Sequence, residues 1–123
     1  QMMQDVAWGS EAEPLDILIV DLPPGTGDIQ LTLIQKLKVD GVVIVSTPQE
    51  IALIDARRAA SMFLKTATPI LGVVENMSTH ICSNCGHTEA IFGQGGGAKM
   101  CADFGVEVLR TRHVVGWLAD LLG

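Results

Sequence analysis

Cys82-Ser83-Asn84-Cys85 sets two thiols three positions apart, a spacing at which one turn can aim both sulfurs at a single metal. Two thiolates are half of a zinc or iron–sulfur ligand set, so the remaining ligands must come from elsewhere in the chain or from a second chain. His80 and His87 flank the pair and could complete a zinc site within the chain, although that spacing is tighter than finger geometry. An inert or merely structural pair is the plain alternative. A redox dithiol fits poorly, because such motifs open a helix and Gly86-His87-Thr88 is a poor helix start. Cys101 falls within a predicted helix and reads as a buried small hydrophobe rather than a ligand.

A second constellation lies upstream. Ile17-Leu18-Ile19-Val20 is a short continuous apolar run, which predicts a strand buried on both faces. Asp21 stands at its carboxyl end, where open α/β sheets place their ligand chemistry. Pro23, Pro24, Gly25 and Gly27 then force a turn. Asp28 can cap a helix carrying Ile29, Leu33, Ile34 and Leu37 on one face. An acid beside a glycine-rich turn suits a hydrated Mg²⁺ next to backbone N–H groups that can meet a phosphate. The bland alternative for Asp21 is a helix or turn cap.

The elements that position these residues alternate. Gly41 ends the first helix, and Val42-Val43-Ile44-Val45 reads as a second buried strand. Thr47-Pro48-Gln49-Glu50 supplies a capping box with Pro at the first helical position. The helix it opens carries Ile51, Ile54, Ala59 and Phe63 and runs to about Lys65, because Pro69 lies ahead. Ile70-Leu71-Gly72-Val73-Val74 is a third buried strand, ending at Glu75-Asn76. Strands alternating with helices through short loops predict right-handed βαβ units and a parallel sheet.

From Met77 to Gly97 that rhythm breaks, and the stretch holds both cysteines of the pair and the cluster Gly93-Gln94-Gly95-Gly96-Gly97. As a dinucleotide fingerprint, Gly93 to Ala98 is weak, since no strand precedes it and no acid follows at the needed distance. Flexible packing beside the cysteines is the better reading. A helix from about Ala98 to Phe104, closed by Gly105, a strand over Val106 to Leu109 and an amphipathic helix over Val114 to Leu122 complete the expected order. Gln1 to Pro14 is polar, with Trp8 as its one large anchor.

The 123 residues make at most one domain, long enough to bury roughly two-thirds of its unfolded surface. A net charge of −6 argues against nucleic acid or an anionic membrane as partner. No apolar run approaches the ~20 residues needed to span a bilayer. Gln1-Met2-Met3-Gln4-Asp5 has no basic region followed by an apolar stretch, so no signal peptide is expected, and the missing initiator Met suggests a fragment. Three cysteines form no disulfide framework and favour a reducing cytoplasm.

Pro23-Pro24-Gly25-Thr26-Gly27-Asp28 resembles the Walker B and switch II segment of the deviant P-loop ATPases, the group holding MinD, ParA and the nitrogenase iron protein. Within that group the chain is most similar to the Mrp/ApbC iron–sulfur carriers. Val74-Glu75-Asn76-Met77-Ser78, then Cys82 and Cys85, then Ile91-Phe92-Gly93 and Gly95-Gly96-Gly97 stand in that family's order and spacing.

The resemblance implies a doubly wound, mostly parallel α/β sheet. Residues 1–109 would be the C-terminal part of a P-loop NTPase-like domain, with the cysteine insertion at 77–97 and a tail at 110–123. It implies that Asp21 holds Mg²⁺ through water, that the Gly25 backbone senses the γ-phosphate of ATP, and that Asn76 contacts adenine. The bland reading of Asn76 is a strand-end residue tied to a local turn. Cys82 and Cys85 would share a [4Fe–4S] cluster with the same pair of a second subunit and pass it to apo iron–sulfur proteins.

Two departures stand out. No G-x-x-x-x-G-K-[ST] loop occurs: Lys36, Lys38, Lys65 and Lys99 all lack the required neighbours. No catalytic residue is assigned on that account, and the chain alone is expected not to hydrolyse ATP. Beyond Leu109, Arg110-Thr111-Arg112-His113 leaves the family pattern. Two rival readings are a positioning ATPase of the MinD/ParA type and a non-catalytic zinc-binding module.

Overall fold

A computed structural model describes residues 6–23 and 27–111. The predicted amphipathic helix over 114–122 and the turn residue Gly25 lie outside them. Eight elements follow in chain order: helix α1 (Asp28–Lys36), strand β1 (Val42–Ser46), helix α2 (Glu50–Lys65), strand β2 (Ile70–Glu75), the short strands β3 (His80–Ile81) and β4 (Thr88–Glu89), helix α3 (Gly96–Phe104) and strand β5 (Val108–Thr111). β1, β2 and β5 form a parallel sheet with β2 in the centre. β3 and β4 pair antiparallel in a separate hairpin.

The parallel sheet follows from the alternation of apolar runs and helices. α2 returns the chain from β1 to β2 and lays one face on the sheet, burying Leu53, Ala56, Ala60 and Phe63. These positions recur at helical spacing, three or four residues apart. Ile44 of β1, Val73 of β2, and Met100 and Cys101 of α3 complete the core, with Ile70, Phe104 and Val106 packed against it. Met100 and Val73 are fully buried. The core therefore sits between the sheet and a layer made of α2 and α3.

The opposite side of the sheet differs from expectation. Along β1, burial alternates: Ile44 and Ser46 point into the core, while Val43 is 46% and Val45 65% exposed. Successive side chains on a strand face opposite ways, so β1 is covered on one face only. Ile17-Leu18-Ile19-Val20 departs further. It forms no strand, and Ile17 and Ile19 are 75% and 88% exposed. A buried strand needs a ladder partner and a layer over each face, and no described segment supplies either to this run.

Helix boundaries and faces are also shifted. Asp28 is the first residue of α1 rather than its cap; Gly27 occupies the cap position and no side chain caps the helix. Gln30 and Ile34 form its buried side, while Ile29 is exposed. The Gln30 side-chain amide donates to the Pro23 carbonyl at 2.8 Å, tying the helix to the preceding turn. A polar residue thus takes an inward position because it has a backbone partner there.

α2 is capped by Gln49, again without a side-chain bond, so Thr47-Pro48-Gln49-Glu50 is not a capping box. Ile51 and Ile54 face outward, and of the four apolar positions expected on its buried face only Phe63 is fully buried. α2 ends at Lys65, as its sequence predicts. α3 begins at Gly96, two residues before the expected start, and closes on Gly105 in the left-handed conformation.

Gly72 lies at one of the two register irregularities of the described sheet. Val42 pairs with Ile70 and Val43 with Gly72, so β2 bulges there. Gly72 has φ +153°, and a Cβ on it would meet the Glu107 carbonyl oxygen at 2.8 Å. Among the described residues no helix is long and apolar enough to cross a membrane.

Candidate functional site

The cysteine pair sits on the turn that joins β3 to β4. Two ladder pairs, His80 with Glu89 and Ile81 with Thr88, bring the ends of this turn together. Inside it the Cys82 N–H donates to the His87 carbonyl at 2.9 Å, and the Gly86 N–H donates to the Cys82 carbonyl at 2.8 Å. Gly86 takes φ +71°, the left-handed value that lets the turn close. Cys82 is half-buried and Cys85 exposed, and neither is in a disulfide.

The backbone of this turn is arranged for a thiolate. The N–H groups of Cys85 and then Asn84, followed by the Cys85 side chain, hold the Cys82 thiol below its ordinary pKa against a small opposing effect of burial. N–H donors aimed at a sulfur stabilise its charged form, which is the form that binds metals. Cys101 is the contrast. Buried on α3 and facing the Glu75 carboxylate, its thiol is pushed up, first by burial and then by that negative charge. Its reading as a buried small hydrophobe matches this environment.

The histidines do not complete a site. His80 is half-buried and His87 exposed, and no group of three or more His, Cys, Asp or Glu is gathered for a metal ion among the described residues. Among the described residues the cysteines stand as a two-thiol set on an exposed turn.

Asn76 lies immediately past the carboxyl end of β2. Its N–H donates to the Ser46 carbonyl at 2.7 Å, joining the ends of β1 and β2. Its side-chain Oδ1 accepts the Met77 N–H at 3.0 Å, and Met77 turns the chain with φ +56°. The local turn of the bland reading is therefore present, while the amide nitrogen of Asn76 points to no described partner and remains a donor. The buried Thr47 hydroxyl, just past β1, has no hydrogen-bond partner among the described residues. Asp21 is exposed on the irregular stretch after Val20.

One residue of this region was passed over in the sequence. Glu75, the last residue of β2, is buried, and its Oε2 accepts the Gly97 N–H at 2.7 Å. Gly97 is the second residue of α3, so its N–H has no partner within the helix. A Cβ on Gly97 would lie 2.6 Å from that same oxygen, so glycine is required for the approach. The only signal was an acid closing an apolar strand, with an uninterrupted glycine triplet downstream.

Residues 1–114 match a family model described as the NUBPL iron-transfer P-loop NTPase, within the ParA group. The iron–sulfur cluster carrier protein of Pseudomonas fragi is 59% identical over 111 residues, covering 90% of this chain and 37% of that protein. The carrier of Escherichia coli K12 is 55% identical over 109 residues, 89% of this chain and 28% of the relative. That of Pyrococcus horikoshii is 50% identical over the same length, 36% of the relative. The chain thus spans about a third of the curated relatives it matches.

Among solved structures, a nucleotide-binding protein from Archaeoglobus fulgidus in complex with ADP superposes with a TM-score of 0.74 at 40% identity, covering 89% of this chain and 45% of that one. On the family match, the shared parallel α/β fold and these identities, the chain belongs to the iron-transfer P-loop NTPase family of iron–sulfur cluster carriers.

Proposed function

We propose that this chain is part of an ATP-dependent iron–sulfur cluster carrier that binds a [4Fe–4S] cluster and transfers it to apoproteins. The observation that carries this reading is the β3–β4 hairpin, whose exposed turn presents Cys82 and Cys85 together. Two soft thiolates on an exposed turn, with no further ligand gathered beside them, suit a cluster completed by a second copy of the chain. The cluster is the cargo, and a site shared at a subunit boundary releases it more readily than an enclosed one.

The nucleotide half of the reading rests on the strand ends. Asn76 offers an amide donor beside the carboxyl ends of β1 and β2, the edge where parallel α/β sheets bind ligands. Asp21 would hold Mg²⁺ through water, the backbone of Gly25 would sense the γ-phosphate, and Asn76 would contact adenine. Bound ATP would supply the free energy that switches the glycine-rich turn between two states. In this reading residues 1–109 are the C-terminal part of a P-loop NTPase-like domain with the cysteine insertion at 77–97, residues 110–123 are a tail, and the working place is the cytoplasm.

Anaerobic reconstitution with iron and sulfide tests the proposal. The expected product is a brown dimer with about two irons per chain, since a [4Fe–4S] cluster takes four thiolates. Cys82→Ala or Cys85→Ala should abolish the colour and the iron uptake, and Cys101→Ala neither. A colourless protein holding one zinc per monomer overturns the carrier reading in favour of a zinc module.

A further inference from the structure

Between Asn76 and Gly96 the chain leaves the sheet, builds the β3–β4 hairpin with its cysteines, and returns as α3. The hairpin is closed by its own ladder, but little of it is buried: residues 82–89 are exposed apart from the half-buried Cys82. What holds an exposed arm in one position must then act at its base. The side chain found there is Glu75, which spans from the last position of β2 to the second residue of α3.

We propose that Glu75 is a positioning residue that clamps the cysteine arm to the strand end presenting Asn76. Its carboxylate is buried and accepts the Gly97 N–H, a charge-assisted bond to an otherwise unpaired helix N-terminus. Because Glu75 and Asn76 are consecutive, the arm and the nucleotide-facing amide share one anchor. A displacement of Asn76 therefore reaches the arm through the same backbone. Gly96 and Gly97 serve the clamp by closeness: a Cβ on Gly96 would collide with the Leu53 side chain, and one on Gly97 with the carboxylate itself. Gly96 and Gly97 are thus where α3 docks on α2 and on the end of β2. The consequence for cargo rests on the carrier reading above; the clamp itself does not.

Amide hydrogen exchange on the full chain, followed peptide by peptide, tests the clamp. Glu75→Ala should raise exchange across 77–97 at least about tenfold while β1 and α2 keep their protection. Glu75→Gln retains an acceptor oxygen and should stay close to wild type. Gly97→Ala, which pushes the carboxylate away from the other side, should reproduce Glu75→Ala. After anaerobic loading, the two loosened variants should also lose iron to a chelator several-fold faster than wild type. Unchanged arm exchange in Glu75→Ala overturns the proposal. So does equal loosening of the arm in Phe63→Ala, a buried α2 variant away from Glu75, Gly96 and Gly97, because the effect would then be general destabilisation. A wild type that takes up no cluster sinks the carrier reading alone, and the exchange data still decide the clamp.

Discussion

At the scale of single residues, chemistry is set by which backbone groups surround a side chain. Cys82 and Cys101 are the same residue type driven in opposite directions, one by N–H groups directed at its sulfur, the other by burial beside a carboxylate. Alkylation with iodoacetamide against pH should separate them. The lowered pKa of Cys82 keeps thiolate present at pH values below the ordinary thiol range, so its reactivity should survive there and fall only on further acidification, whereas Cys101 should resist throughout. Cys85→Ala should leave the Cys82 thiol still lowered, because the backbone N–H groups of Cys85 and Asn84 remain. A Cys82 profile that returns to the ordinary thiol position in that variant would show that the side chain of Cys85 is what lowers it. Thr47 is a second residue-scale case. A buried hydroxyl without a partner costs about 1–3 kcal/mol, so Thr47→Val should be neutral or stabilising in a urea melt, and a loss beyond about 1 kcal/mol would show that the hydroxyl is bonded in solution.

At the scale of elements, the sheet depends on a close contact that a glycine makes possible. β2 lies between β1 and β5, and its bulge at Gly72 lets it meet both partners. Gly72→Ala would bring a methyl against the Glu107 carbonyl and the Leu109 side chain, with no room on the backbone side. The expected cost is about 1–3 kcal/mol, in the range of an overpacked core, read as a lower denaturation midpoint at unchanged slope. A variant as stable as the parent would mean that β5 can slide away from β2 freely. The salt bridge between Arg57 of α2 and Asp103 of α3, at 3.4 Å and partly exposed, contributes less, about 1 kcal/mol or below. α3 is held chiefly by Met100 and Cys101 in the core.

At the scale of the molecule, apolar surface is left uncovered. Ile17, Ile19 and Val45 are all at least 65% exposed, on the extended run before Asp21 and on the outer face of β1. Apolar patches of this kind mark interfaces or drive association. Light scattering of the 123-residue chain at micromolar concentration should therefore report dimers or larger species in the absence of any cluster. The double variant Ile19→Lys with Val45→Lys should shift it towards monomer. A wild-type monomer with a sharp, cooperative thermal transition would mean that these positions are tolerated as free surface.

Much of this was legible in the residue order. Apolar runs at Val42–Val45 and Ile70–Val74, separated by a helix-length segment, point to a parallel sheet, because parallel neighbours need a long crossover of that kind. The spacing of Cys82 and Cys85, with the motifs on either side, was enough to identify the family, since local spacing is carried by the chain itself. Tertiary contact decided the rest. Ile17–Val20 is as apolar as β1, but apolar composition cannot say whether a ladder partner exists, and here none is described. Ile51 and Ile54 looked inward by type, whereas the small Ala56 and Ala60 are buried because α2 must approach the sheet closely. The Glu75–Gly97 contact joins residues 22 positions apart, and an acid at a strand end with a glycine triplet downstream does not by itself announce it. It exists because the arm returns to the strand end it left, where a helix N-terminus needs an acceptor and the glycine leaves room for one.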